Sequence, residues 1–148
     1  MSIWWSLQLR REAASVPLAR RLLLGAMETA GVDADISHEV CVALSEACSN
    51  AVQHAGDHTE VYRVTASIHG DVCRIEVTDG GPGFPAGATI PLAGRREPRE
   101  LATGGRGLRL IEALADRVRY DSQPGTGGAV VTFDKVLRWR EGALLKAS

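Results

Sequence analysis

The chain has 148 residues, 45% of them hydrophobic, with 17 Lys and Arg set against 18 Asp and Glu for a formal net charge of -1. That balance leaves no basic footprint for nucleic acid and no apolar run long enough to cross a bilayer. It is enough chain for one sizeable core, so a single domain over residues 1–148 is expected. The opening MSIWWSLQLRR is too short and too polar for a signal peptide, and Cys41, Cys48 and Cys73 follow no zinc-ligand spacing. Reduced thiols in a cytoplasm are the expectation.

Ile3, Trp5, Leu7 and Leu9 alternate with Trp4, Ser6, Gln8 and Arg10, the period-two pattern of an outer strand with one buried face. Ser15 and Pro17 give start signals for a helix carrying Leu18, Leu22, Leu23, Ala26 and Met27, which Gly31 stops. Asp33 to Ser37 caps a second helix that ends near Gly56, and the rest of the chain is organised around it. Val40, Ala43, Leu44, Ala47 and Ala51 fall on one stripe of that helix. At roughly 100° per residue, Glu46 and Asn50 sit four apart on one flank of the stripe, bordering its buried face. Taken alone, the pair describes a solvated helix edge as well as a site.

Val64, Ala66 and Ile68 alternate with polar neighbours, and after Gly70-Asp71 the pattern resumes at Cys73, Ile75 and Val77, which predicts a hairpin. Its second strand runs into Asp79-Gly80-Gly81-Pro82-Gly83-Phe84. From Pro85 to Thr103 periodicity is absent, and three prolines with Arg95, Arg96 and Arg99 mark a long loop of the kind that serves as a lid. Gly104-Gly105-Arg106-Gly107 opens a helix with Leu108, Leu110, Ile111, Leu114 and Ala115. Strands at Arg117 to Ser122 and Ala129 to Lys135 follow, joined by a turn rich in glycine. The order β-α-α-β-β-loop-α-β-β implies an α/β (α+β) two-layer sandwich with a mixed, mostly antiparallel sheet and helices on one face. Residues 136–148 show no period and form a C-terminal extension without an assigned place.

Two glycine segments carry chemistry. A carboxylate at the end of a buried strand can accept a hydrogen bond from an exocyclic amine, while glycines after it let a flat ring approach the backbone; Asp79, Gly81 and Gly83 have that order, which is equally good turn chemistry. A glycine-lined helix start presents free N–H groups and the positive dipole end to phosphate oxygens, as Gly104 to Leu108 would, or it is a plain hinge. The segment lacks both the P-loop pattern and the dinucleotide fingerprint.

Taken together, SEACSNAVQHA, DGGPGF and GGRGLRLIE resemble the GHKL ATPases of Bergerat fold, the superfamily of gyrase, MutL and histidine-kinase ATP domains. Within it they look most like the bacterial anti-sigma factor serine/threonine kinases. The resemblance implies ATP and Mg²⁺ as cofactors, with Asn50 on the metal, Asp79 on the adenine amine, Gly81 and Gly83 lining the adenine pocket, and Gly104, Gly105, Arg106, Gly107 and Leu108 at the phosphates. Glu46 matches the catalytic carboxylate that takes a proton from a partner's serine. It further implies an anti-anti-sigma protein and a sigma factor as partners, and a homodimer. One position departs from the family: Gly128-Ala129 stands where Gly-Thr is usual, with Thr126 and Thr132 the nearest hydroxyls. A nucleotide-gated switch without phosphotransfer is the alternative function, and an ATP domain serving a separate histidine protein is a third.

Overall fold

Alternating and helical spacing sort this chain into two layers. The computed structural model describes residues 2–54, 60–79, 106–122 and 128–143. Its elements are β1 (Ser2–Arg10), α1 (Ser15–Ala30), α2 (Ala34–His54), β2 (Val61–His69), β3 (Val72–Asp79), α3 (Arg106–Leu114), β4 (Arg117–Ser122) and β5 (Ala129–Val136). The strands form one sheet in the order β1-β2-β3-β5-β4, with β1 at the edge as its pattern predicts. Every pairing among them is antiparallel.

Register follows from burial. Trp5, Ala66, Ile75, Phe133 and Val118 stand side by side across all five strands and face the helices. A one-residue slip in any strand would turn its share of that row to solvent. On α2, Ala43, Ala47 and Ala51 are 1%, 1% and 3% exposed, and their small side chains let the helix lie close to the sheet. The helix is capped by Asp33, whose carboxylate accepts N–H bonds from Asp35 and Ile36. The Ile36 amide, with help from Arg138, holds that carboxyl below its ordinary range.

The first helix buries Ser15, Ala19, Leu23, Met27 and Ala30, while Leu18 and Leu22 are 49% and 45% exposed. Two leucine-bearing stripes lie about 100° apart on this helix, and packing against α2 selects the one through Leu23. Lys135 closes the far end of the layer: its ammonium donates to the Leu114 carbonyl at 2.6 Å and pairs with Glu39 at 2.8 Å, joining α3, β5 and α2.

The segment after β5 has a defined place. Leu137 N–H donates to the Asp71 carbonyl in the β2–β3 turn, Asp33 N–H donates to the Arg138 carbonyl, and Arg140 N–H donates to the Gly31 carbonyl. Trp139 Nε1 reaches the Asp71 carboxylate at 2.8 Å, and Leu137 is 4% exposed. This strap binds the α1–α2 turn to the β2–β3 turn. Gly31 has φ 95, a region that favours glycine, and a Cβ there would collide with Ala143. Trp139→Ala removes a half-buried ring and one hydrogen bond, and should destabilise the fold by about 1 to 3 kcal/mol. At this chain length each kcal/mol lowers Tm by about 2 to 4 °C. An unchanged melt by circular dichroism would mean that the strap contributes nothing.

The three thiols are free and buried in the core. Desolvation pushes Cys41 up to about 11, and Cys48 and Cys73 up to about 12, from an ordinary 9.0. The folded chain therefore keeps these protons where the unfolded chain releases them. Their contribution to stability is complete below about pH 9 and is lost as pH rises toward 11 to 12. Tm should fall steadily between about pH 9 and 11, and Cys73→Ala should show a shallower fall. Equal slopes for the two proteins would contradict a protonated, buried Cys73.

Candidate functional site

Three elements meet at one end of the two-layer structure. Helix α2 is the central helix and packs against α1, α3 and strands β2, β3 and β5. Because its stripe of alanines faces the sheet, the flank carrying Glu46 and Asn50 stays at the margin of the core, and both residues are half-buried. The Asn50 amide nitrogen is fully enclosed and, among the described residues, has no hydrogen-bond partner. A buried donor without an acceptor costs about 1 to 3 kcal/mol, so its retention points to a ligand or to a second role.

Inward alternation along β3 runs Cys73, Ile75, Val77, Asp79, which puts a carboxylate on the core face as the strand ends. Asp79 is 9% exposed. Its Oδ1 accepts the Ala129 backbone N–H at 3.1 Å from the start of β5. Position 129 thus supports Asp79 through the main chain, although alanine has no hydroxyl. Thr132 does not replace the missing hydroxyl. It pairs with Glu76 and Arg119, on the sheet face opposite Val131 and Phe133, so it points away from the layer that holds Asp79.

The third element is the start of α3, which packs on α2. Arg106 and Gly107 form its first turn, and Leu108 is partly buried against the core. The Tyr120 hydroxyl from β4 lies 3.2 Å from the Glu112 carboxylate and 3.4 Å from the Leu108 carbonyl, within donating reach of either, and ties this helix to the sheet. Gly81, Gly83, Gly104, Gly105, Thr126 and the lid expected over 85–103 lie outside the described residues.

The structure therefore brings together α2 with Glu46 and Asn50, the buried end of β3 with Asp79, and the N-terminus of α3. Among the described residues no group of three His, Cys, Asp or Glu could hold a metal ion. A divalent cation here would take a single protein ligand from this set, and the side-chain carbonyl oxygen of Asn50 is a hard donor of the kind such a cation takes. Sequence reasoning missed Tyr62, a fully buried hydroxyl directly across the strand pair from Asp79. The signal was available, since Tyr62 extends the inward series Val64, Ala66, Ile68 by one step.

Residues 9–135 match the family model described as the histidine kinase-like ATPase domain. The chain is 32% identical over 130 residues to the serine-protein kinase RsbW of Staphylococcus aureus, covering 83% of this chain and 82% of that one. It is 33% identical over 124 residues to the RsbW of Bacillus licheniformis, covering 80% and 78%. Among solved structures it superposes on the RsbU and RsbW domains of Rv1364c from Mycobacterium tuberculosis with a TM-score of 0.66 at 24% identity. That match covers 91% of this chain and 32% of the longer one. The catalytic domain of the histidine kinase ThkA shares the fold with a TM-score of 0.55 at 12% identity. No helix among the described residues is long and apolar enough to cross a membrane.

Proposed function

For a chain that belongs to the histidine kinase-like ATPase domain family and has RsbW serine-protein kinases as relatives, we propose an ATP-dependent protein serine/threonine kinase that acts as an anti-sigma factor. It phosphorylates an anti-anti-sigma protein and otherwise sequesters a sigma factor, as a cytoplasmic homodimer. The observation that carries this reading is Glu46, one helical turn before an Asn50 whose amide nitrogen is enclosed and, among the described residues, without a partner, on the flank of the helix that packs against the strand ending in the buried Asp79 carboxylate.

Asp79 accepts a hydrogen bond from the adenine amine. Gly81 and Gly83 leave room for the ring, and Gly104, Gly105, Arg106, Gly107 and Leu108 seat the phosphates at the positive end of α3. Asn50 would hold Mg²⁺, which when bound neutralises charge on the phosphate oxygens. Glu46 orients the partner's serine hydroxyl and takes its proton as the oxygen attacks the γ-phosphorus. The new O–P bond forms as the bond from that phosphorus to ADP breaks, leaving phosphoserine, ADP and a proton on Glu46.

Ala129 favours one other reading, a nucleotide-gated switch without phosphotransfer, because it removes a polar group near the adenine. Incubation with γ-labelled ATP, Mg²⁺ and anti-anti-sigma domains separates the two. Label on a partner serine supports the kinase, and nucleotide-dependent partner binding without label supports the switch.

A further inference from the structure

A cavity of about 350 Å³ lies between the last turns of α1, the first turn of α2 and the strap. That is the size of a small-molecule site. Ser37 in its wall precedes Asn50 on α2 by 13 residues, so the helical rise puts the cavity about 20 Å from the site described above. Helical spacing makes the wall: Leu24 and Glu28 share one flank of α1, and Ala34 and Ser37 share one flank of α2.

Ser37 is 1% exposed, and among the described residues its hydroxyl has no hydrogen-bond partner. A serine inside a helix commonly turns its hydroxyl back to the carbonyl four residues earlier. Ser45 on the same helix does so, donating to the Cys41 carbonyl at 2.9 Å. Ser37 does not, although the Asp33 carbonyl stands in that place and takes its N–H at 2.9 Å. A buried hydroxyl without a partner is costly and uncommon, and in the wall of a cavity its partner is a group that enters.

The remaining members of the wall define that group. Arg140 is anchored twice, its N–H donating to the Gly31 carbonyl at 2.7 Å and its Nη2 to the Glu28 carbonyl at 2.6 Å. This holds the guanidinium at the end of α1 with N–H donors to spare. Glu28 adds one carboxylate, so the wall carries one charge of each sign, an arrangement that repels a polyanion and suits a zwitterion. Leu24, Val32 and Ala34 supply an aliphatic surface. We propose that this cavity binds a free aliphatic amino acid: its carboxylate accepts from Arg140 and the Ser37 hydroxyl, its ammonium pairs with Glu28, and its side chain lies against Leu24, Val32 and Ala34.

Calorimetric titration of the full chain with L-leucine, L-isoleucine and L-valine to about 10 mM should give saturable binding for at least one, and a tenfold excess over its Kd should raise Tm by about 3 to 6 °C. The amide of that amino acid, which lacks the carboxylate, and the acid without its amine should each bind about tenfold or more weakly. Ser37→Ala should lose about tenfold in affinity, while its Tm without ligand stays at or above that of wild type, because deleting an unpartnered hydroxyl removes a cost and breaks no bond. Glu28→Gln keeps the main-chain carbonyl that anchors Arg140 and should weaken the amino acid without weakening its deaminated acid. Absence of binding for all three amino acids, equal affinity for the amide, or wild-type affinity in Ser37→Ala overturns the proposal. None of these readouts involves ATP, so their failure leaves the function proposed above standing.

Discussion

Replacing Asp79 with Asn should weaken Mg²⁺-ATP binding by roughly 5- to 150-fold, the equivalent of about 1 to 3 kcal/mol for a mismatched buried hydrogen bond. The structure sharpens why. One carboxylate oxygen already accepts the Ala129 N–H at 3.1 Å, and an amide can keep that bond only by turning its own oxygen toward Ala129. Its NH₂ is then left facing the adenine amine, donor against donor. Rotating the amide to rescue the ligand contact instead sets NH₂ against the Ala129 N–H. Either way one buried donor loses its acceptor, while the side-chain volume is unchanged. Calorimetric titration measures the effect directly, and equal affinities for the two proteins would remove Asp79 from the adenine site.

Glu46→Ala should have the larger effect on rate and a small one on binding. General-base assistance contributes about 10²- to 10⁴-fold, and that is the expected loss in single-turnover phosphotransfer. ATP affinity should stay within about twofold of wild type if, as proposed, the carboxylate meets the partner's hydroxyl and not the nucleotide. The half-buried place of Glu46 at the margin of α2 fits a group that must reach both the bound phosphates and a partner arriving from solvent. A variant that loses binding and rate together would make Glu46 a nucleotide ligand. A variant that transfers at the wild-type rate would remove it from the chemistry.

Much of the fold could be read from the sequence because most elements bury one face and so keep a strict period. The alternations at Ile3 to Arg10, Val64 to His69 and Cys73 to Asp79 gave three strands in their observed places, and the alanine stripe of α2 gave the central helix. The stripe of α1 was harder, since Leu18 and Leu22 are as apolar as Leu23 and only the partner helix decides between them. The strap was not legible at all. Leu137, Arg138 and Arg140 are held by main-chain bonds to turns, and such bonds leave no periodic trace in the side chains. The same applies at the site. Helical and strand periods place Glu46, Asn50 and Asp79 at the edges of buried faces, and their proposal as site residues comes from the resemblance of their segments to the GHKL ATPases. The donor that meets Asp79 is the backbone of Ala129, which no residue identity announces. Tyr62 reads as one more apolar step in a strand until its hydroxyl is seen bonded to Ser15.

In the proposed function Glu46 serves a phosphoryl transfer from ATP to a protein serine. The most direct measurement is a single-turnover assay with γ-labelled ATP, Mg²⁺ and a purified anti-anti-sigma domain, run with wild type and with Glu46→Ala after both are shown to bind ATP. Wild type should place label on one serine of the partner, and the variant should label it about 10²- to 10⁴-fold more slowly. Bound ATP with no label on the partner at any time would contradict that function, and would leave a protein that senses nucleotide without transferring phosphate.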